Sequence, residues 1–313
     1  MQEIGGYFGL ELKVGEHYHK EAIRLNTARN CFEYILRARK YAKVYIPYYT
    51  CEVLLEPLLK LNINYVFYHI NEQLEPVNEI VLNADEAFLY TNYFGVKQVA
   101  VERLAKLYNK QLIVDNAQAF YAKPIQGIDT FYSARKFFGV PDGAYLYTDI
   151  KIEVAEQDVS YQRMSHLLKR IDLGATAGYS DFQTNDAALI EQPILKMSKL
   201  TESLLSAIDY NAARQQRIDN YNQLDIALGN NNKLRLKLSE NEVPMVYAYY
   251  TDDSALKDKL IKNKVFVATY WPNVLNWTKE QDVEYKFTEN TVFLPVDQRY
   301  ATKEIDVILK LLV

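Results

Sequence analysis

An α/β fold built on a mainly parallel sheet is what this sequence predicts. Three observations carry that expectation. Short, almost continuously apolar runs recur through the first half: KVYIP at 43–47, NYVFYHI at 64–70, ADEAFLYTNYFG at 84–95 and QLIVD at 111–115. Stretches of helical period separate them, and this alternation marks strands buried on both faces beneath helices. After Tyr147 the texture changes to long helical stretches and then a short βαββα tail. A chain of 313 residues holds one large α/β domain and a smaller one.

The first helix is expected over about 28–41, ARNCFEYILRARKY, where Cys31, Ile35 and Ala38 recur on one face beside Phe32 and Leu36. Asn26 and Thr27 stand before it as capping residues. KVYIP is a strand ended by its proline. CEVLLEPLLKLN at 51–62 reads as a helix with Pro57 near a kink. NYVFYHI is a strand, and ADEAFLYT a further strand ending near Asn92–Gly95. VAVERLAKLYNK at 99–110 is an amphipathic helix, and QLIVD a compact buried strand.

Helical stretches are expected over 151–225, notably from Ala187 through Leu224. An asparagine-rich turn at 231–234 marks a boundary, which divides the chain into residues 1–228 and 229–313. In the second unit PMVYAYY and KVFVATYWP read as strands with a helix between them. TVFLPVD follows as a strand and TKEIDVILKLL as the closing helix.

Composition narrows the function. Thirty-six basic against 40 acidic residues give a net charge of −4, so no basic excess exists to neutralise nucleic-acid phosphates. Two cysteines, Cys31 and Cys51, form no metal-spaced cluster and fit a reducing compartment. The first residues lack a basic stretch followed by an apolar core, and no apolar run approaches the ~18 residues of a spanning helix. A cytoplasmic protein bound to neither nucleic acid nor membrane is expected.

Three stretches carry chemistry. Asp115 ends a buried strand, where open α/β sheets hold their ligands; an ordinary turn or capping aspartate is the plainer reading of that strand alone. Lys136 lies in SARKFFGVPDGAYLY, 133–147, among Phe131, Tyr132, Phe137 and Phe138. A lysine that acts as a Schiff-base nucleophile needs partial desolvation, which such surroundings supply; a surface lysine snorkelling from an edge segment is the plainer reading of this stretch alone. Gly139 and Gly143 permit a tight turn beside it. NTARN, 26–30, opens a helix whose free N–H groups and dipole favour a phosphate, with Arg29 able to add a bidentate contact.

Taken in order, these stretches resemble the fold-type-I pyridoxal-phosphate (PLP) enzymes, most closely the DegT/StrS family of sugar aminotransferases. NTARNCFEYILRA is similar to the family's S-G-T-x-x-L helix start, VYIPYYT to its V-x-x-P-x-x-T strand and LYTNYFG to its V-H-x-x-G segment. VDNAQAF matches its E-D-x-A-Q-A motif, the most specific of the set. FYSARKFFGVPDGAYLYT resembles its lysine segment, and VFLPVDQRY its C-terminal L-P strand and turn.

The resemblance implies roles. Lys136 stands at the Schiff-base position. Asp115 pairs with the pyridine nitrogen and Gln118 with the phenolic oxygen side. Thr27, Ala28, Arg29 and Asn30 line the phosphate, with Ser133 reaching it. Tyr49 or Tyr93 stacks on the ring, because the family's stacking aromatic is Cys51 here. Phe131 stands five residues before the lysine, where the family has serine; Asn92 replaces a histidine; and the family's N-Y-R-M segment is not visible in 178–188.

The resemblance further implies a homodimer. It also implies transfer of an amino group, with glutamate as donor, to a nucleotide-linked keto-sugar. Tyr48, Tyr49, Tyr93, Tyr270, Trp271 and Arg299 are candidates for the substrate mouth. Other fold-type-I chemistry on amino acids, or a catalytically silent relative kept for binding, are the alternatives. No metal is expected.

Overall fold

The structure is a computed structural model that describes residues 4–312. Seven strands form the main sheet: β1 (Ile23–Leu25), β2 (Lys43–Pro47), β3 (Asn64–Tyr68), β4 (Glu86–Thr91), β5 (Leu112–Asn116), β6 (Asp129–Ser133) and β7 (Ala144–Tyr147). Their order across the sheet is β1-β7-β6-β5-β4-β2-β3. β3, β2, β4, β5 and β6 run parallel, and β7 is antiparallel to both of its neighbours. Every residue of β4, β5 and β6 is buried. This explains the apolar runs of β4 and β5, since both faces are covered; DTFYS of β6, with polar residues at both ends, does not read as a strand.

The first three helices cover this sheet: α1 (Ala28–Arg39), α2 (Leu55–Lys60) and α3 (Gln98–Tyr108). Thr27 caps α1, its hydroxyl accepting from the Asn30 amide at 3.1 Å. At the far end Arg39 donates two bonds, of 2.8 and 2.9 Å, to the buried Asp129 at the start of β6. Twelve helical residues rise about 18 Å, close to the length of a five-residue strand. Thus α1 spans the sheet edge to edge and is pinned at both ends. The 51–62 segment divides into a 3₁₀ turn, Glu52–Leu54, and α2. Pro57 falls in the first turn of α2, where its missing N–H breaks no helical bond.

Beyond β7 come α4 (Ser165–Asp172), α5 (Tyr179–Ala188), α6 (Lys199–Ser206) and α7 (Tyr210–Leu228). The helix expected through Ala187–Leu224 is broken. Residues 191–198 contain no helix, and Lys196 bridges to Leu25 at the end of β1 and to Gln157. Pro193 disfavours helix for its predecessor. The buried Asn26 side chain then holds this segment through the Pro193 carbonyl and the Leu195 amide.

After α7 comes a two-stranded antiparallel sheet, β8 (Val246–Tyr250) with β9 (Thr291–Pro295). Around it lie α8 (Leu256–Lys262), α9 (Val274–Trp277), α10 (Val283–Asn290) and α11 (Thr302–Leu312). KVFVATYWP is not a strand; only Ala268 bridges, to Phe293. Its apolar residues pack as irregular chain: Trp271 and Tyr270 join the main core cluster. Tyr221, Leu224 and Leu228 of α7 pack with Tyr247, Leu294 and Ile305, so the end of α7 belongs to the second core. Among the described residues no helix is long and apolar enough to cross a membrane.

Candidate active site

The parallel strands bring the sequence motifs to one edge. β4, β5 and β6 end there with Thr91, Asn116 and Ser133; β2 ends there before Tyr48–Cys51; and β1 delivers Thr27 at the start of α1. The β6–β7 connection, which carries Lys136, lies at the same edge.

That connection is a built turn. The amides of Phe137 and Phe138 both donate to the Ala134 carbonyl, at 3.0 and 2.9 Å, and the Ala134 amide donates to Gly143 at 3.1 Å. The turn sends Phe137 and Phe138 into the core and leaves Lys136 exposed. The burial among aromatics expected for Lys136 is therefore corrected: those rings face inward, and the lysine faces out. The VPDG run completes the loop. Asp142 is fully buried and accepts from the Ser198 amide (2.8 Å), the Ser198 hydroxyl (2.7 Å) and the Thr201 hydroxyl. It fastens the loop to the start of α6. Gly143 has φ +114°, and its amide donates to Asn26, beside the start of α1, at 2.6 Å.

Asp115 is buried, and its Oδ1 accepts from the Ala117 amide at 2.8 Å. Burial pushes its carboxyl up, while the Lys136 ammonium and that amide pull it back. The same ammonium opposes the upward push of burial on the Cys51 thiol. Exposed Lys136 is thus the positive charge that acts on both the buried Asp115 carboxyl and the Cys51 thiol. Gln118 is 1 % exposed; its Oε1 accepts from the Phe94 amide at 3.1 Å, and its Nε2 has no partner. An orphaned buried amide donor three residues after Asp115 is a place for a ligand acceptor.

The helix start divides its labour. Thr27 and Asn30 cap α1, and the Asn30 side-chain Nδ2 donates to the Gln192 carbonyl. Arg29 is ion-paired with Glu56. The anion-binding capacity of this end rests on the Ala28 and Arg29 main-chain N–H groups and the dipole, not on the guanidinium. Ser133, buried at the end of β6, adds a hydroxyl. Tyr49 is not among these groups: it packs against Tyr93, Trp271 and Phe287. Tyr93 is equally buried, its hydroxyl on the Tyr49 carbonyl. Asn92 holds the start of α3 through the Lys97 amide.

The donor set fits the PLP expected from the sequence. Two helix-end amides and a hydroxyl suit a phosphate, a buried carboxylate suits a pyridinium, and the orphaned Gln118 Nε2 suits a phenolic oxygen.

A cavity of about 640 Å³ adjoins Lys136, between its loop, α4–α5 and the second unit. Arg170, Tyr179, Arg217, Tyr270 and Arg299 line it. Arg217 and Tyr179 escaped the sequence reading, because each sits in a polar helical run without a motif. Among the described residues no three His, Cys, Asp or Glu side chains gather as a metal site.

No protein-family model and no curated protein matches this chain. Solved structures do match. Spr1654 from Streptococcus pneumoniae, named as a sugar aminotransferase and determined in its PLP form, is 16% identical with a TM-score of 0.62. That match covers 92% of this chain and 85% of Spr1654. NtdA from Bacillus subtilis, with bound cofactor PMP, is 14% identical with a TM-score of 0.65, over 93% of this chain and 72% of its own. A DegT DnrJ EryC1 StrS aminotransferase from Brucella abortus is 13% identical with a TM-score of 0.61, over 93% and 84%. This chain has the fold of these aminotransferases.

Proposed function

We propose that the protein is a PLP-dependent aminotransferase that moves an amino group, from glutamate, to a nucleotide-linked keto-sugar. The convergence at one sheet edge of Asp115, at the end of β5, and the loop after β6 that bears Lys136 carries the reading. The fold shared with a sugar aminotransferase in its PLP form supports it. The reading includes a cytoplasmic homodimer.

Bound PLP supplies an electron sink for the pair left when a proton departs from the carbon bearing the amine. The start of α1 and the Ser133 hydroxyl hold the phosphate. Asp115 keeps the pyridine nitrogen protonated. Gln118 Nε2 donates to the phenolic oxygen. Lys136 Nζ takes the proton from the donor's α-carbon and returns protons on the acceptor side. The cavity beside Lys136, with Arg170 and Arg299 on its wall, accommodates the substrate.

The test is covalent. Protein incubated with PLP is expected to become yellow, and borohydride to fix the cofactor on the peptide containing Lys136. A Lys136→Ala protein that keeps the reducible chromophore overturns the assignment.

A further inference from the structure

We propose that Arg217 and Gln298 are positioning residues for Lys136, which through the Phe137 carbonyl tie the seating of the second unit to the direction of the lysine. This inference rests on the reading of Lys136 as the reactive amine. Arg217, on α7, is 1 % exposed. A buried guanidinium is retained only where its hydrogen bonds are filled. Among the described residues no carboxylate fills them. Asp297 is ion-paired with Arg299 instead.

Arg217 spreads its fork over neutral acceptors. Nε donates to Gln298 Oε1 at 2.9 Å, Nη1 to the Pro244 and Met245 carbonyls at 3.3 and 3.2 Å, and Nη2 to the Phe137 carbonyl at 3.3 Å. Its guanidinium carbon also lies 4.4 Å from the Phe137 ring centroid, the geometry of a cation–π contact.

Gln298 completes the clamp. Its Nε2 donates to the same Phe137 carbonyl at 2.8 Å, from the turn after β9. Phe137 is thus held at three points: its amide by Ala134, its ring by Arg217, and its carbonyl by Arg217 and Gln298 together. Lys136 is its chain neighbour, so fixing Phe137 fixes the backbone from which the lysine springs. Both clamping side chains come from outside the β6–β7 loop, one on α7 and one after β9. Pro244 and Met245, the other acceptors, lead into β8, and the Met245 amide donates to Phe94 at 2.8 Å. One guanidinium therefore joins the lysine loop, α7 and the entry to the second sheet. A lysine or a methionine at 217 has no planar fork to do this.

The test uses the full chain as wild type, Arg217→Met, Arg217→Lys and Gln298→Ala. Far-UV circular dichroism and thermal melting establish folding. Two readouts follow, neither of them turnover. In cofactor-free protein, peptide mapping gives the rate at which trinitrobenzenesulfonate modifies Lys136. In PLP-loaded protein, visible circular dichroism per bound cofactor reports how the ring is held.

The expected result is folded variants in which the rate of Lys136 modification changes by about tenfold or more and the dichroic signal per cofactor falls by about half or more. Arg217→Lys restores only part of these. Folded variants that match wild type in both readouts overturn the proposal. If Arg217→Met does not fold, Gln298→Ala, which keeps the arginine, decides by the same readouts. If wild-type protein fixes no PLP on Lys136, the aminotransferase reading falls, and the cofactor-free rates still decide whether the clamp governs the lysine.

Discussion

Asp115 and Gly143 show what single residues contribute to this edge of the sheet. Asp115 combines burial, which pushes its carboxyl up, with the charge of the Lys136 ammonium, which favours the ionised form. Asp115→Asn keeps the shape and an acceptor for the Ala117 amide but removes the charge. It is expected to bind PLP and to lose transamination by about 10²–10³-fold, the usual loss of an electrostatic partner at a reacting centre. Near-wild-type turnover of the Asn variant would contradict its role. Gly143 acts through the backbone. At φ +114° a Cβ would stand 2.9 Å from Thr201 Cγ2. Gly143→Ala is expected to cost about 1–3 kcal/mol, seen as a lower urea midpoint with an unchanged slope.

Among the elements, the segment before β1 carries its own pH response. His19 is 2 % exposed among Phe120, Tyr132, Tyr145 and Tyr147, with Nε2 on the Phe120 carbonyl at 2.7 Å. Burial holds its pKa down at about 4. His17, with Nδ1 2.6 Å from the Tyr145 hydroxyl, is held at about 4 by burial and by Arg24. Both are bases whose folded pKa lies below the unfolded value. Their stabilisation is complete above pH 6.5 and is lost as pH falls from there to 4. For His19 the shift corresponds to about 3 kcal/mol. Melting temperature should fall steeply over that window, and His19→Phe should flatten the slope whatever it does at pH 7. An unchanged slope in the variant removes His19 from the account.

The elements also show what the sequence could disclose. β4 and β5 were legible because burial on both faces leaves a largely apolar run, and β2 and β3 by their apolar residues, whereas three-residue β1 and the polar-ended DTFYS of β6 gave no such run. Residues 191–198 were not, because apolar spacing in ILKM satisfies a helical period while Pro193 and the Asn26 clamp enforce extended chain. KVFVATYWP alternates like a strand, yet it pairs only at Ala268 and spends its aromatics on the core. Asp115, Gln118, Ser133, Thr27 and Lys136 gather at one edge because strand ends fix them. Arg217 was invisible, since nothing in NAARQQR distinguishes a buried arginine from its exposed neighbours.

At the scale of the molecule, the proposed homodimer and the proposed substrate meet in exposed surface. Ile4, Tyr7, Phe8 and Val14 are each more than 90% exposed, and large apolar side chains left in water favour association at about 25 cal/mol per Å² buried. Light scattering is expected to give twice the 36.4 kDa chain mass. A monomer with full activity would refute it.

The substrate is the sharper question. Of the aromatics expected at the mouth, Tyr49, Tyr93 and Trp271 are consumed in packing between the two units, and Tyr48 stacks on Phe67. Tyr270 alone of that set lines the cavity, joined by Tyr179, Phe182 and Phe266. Those rings offer stacking faces for a base or a sugar. Arg170 and Arg299 offer charge for a diphosphate, and Arg299 is half-spent on Asp297. A free amino acid would leave most of about 640 Å³ unfilled, whereas a nucleotide-linked sugar is of the size that such clefts enclose. The enzyme is therefore first converted to its amine form with glutamate. A panel of nucleotide-linked 3-keto and 4-keto sugars is then added, and at least one should return the absorbance of the PLP form. Arg170→Ala should raise the concentration needed without abolishing the return, because a phosphate contact binds ground state and transition state alike. If free α-keto acids restore the absorbance efficiently and no keto-sugar does, the acceptor is an amino-acid skeleton and the sugar assignment fails.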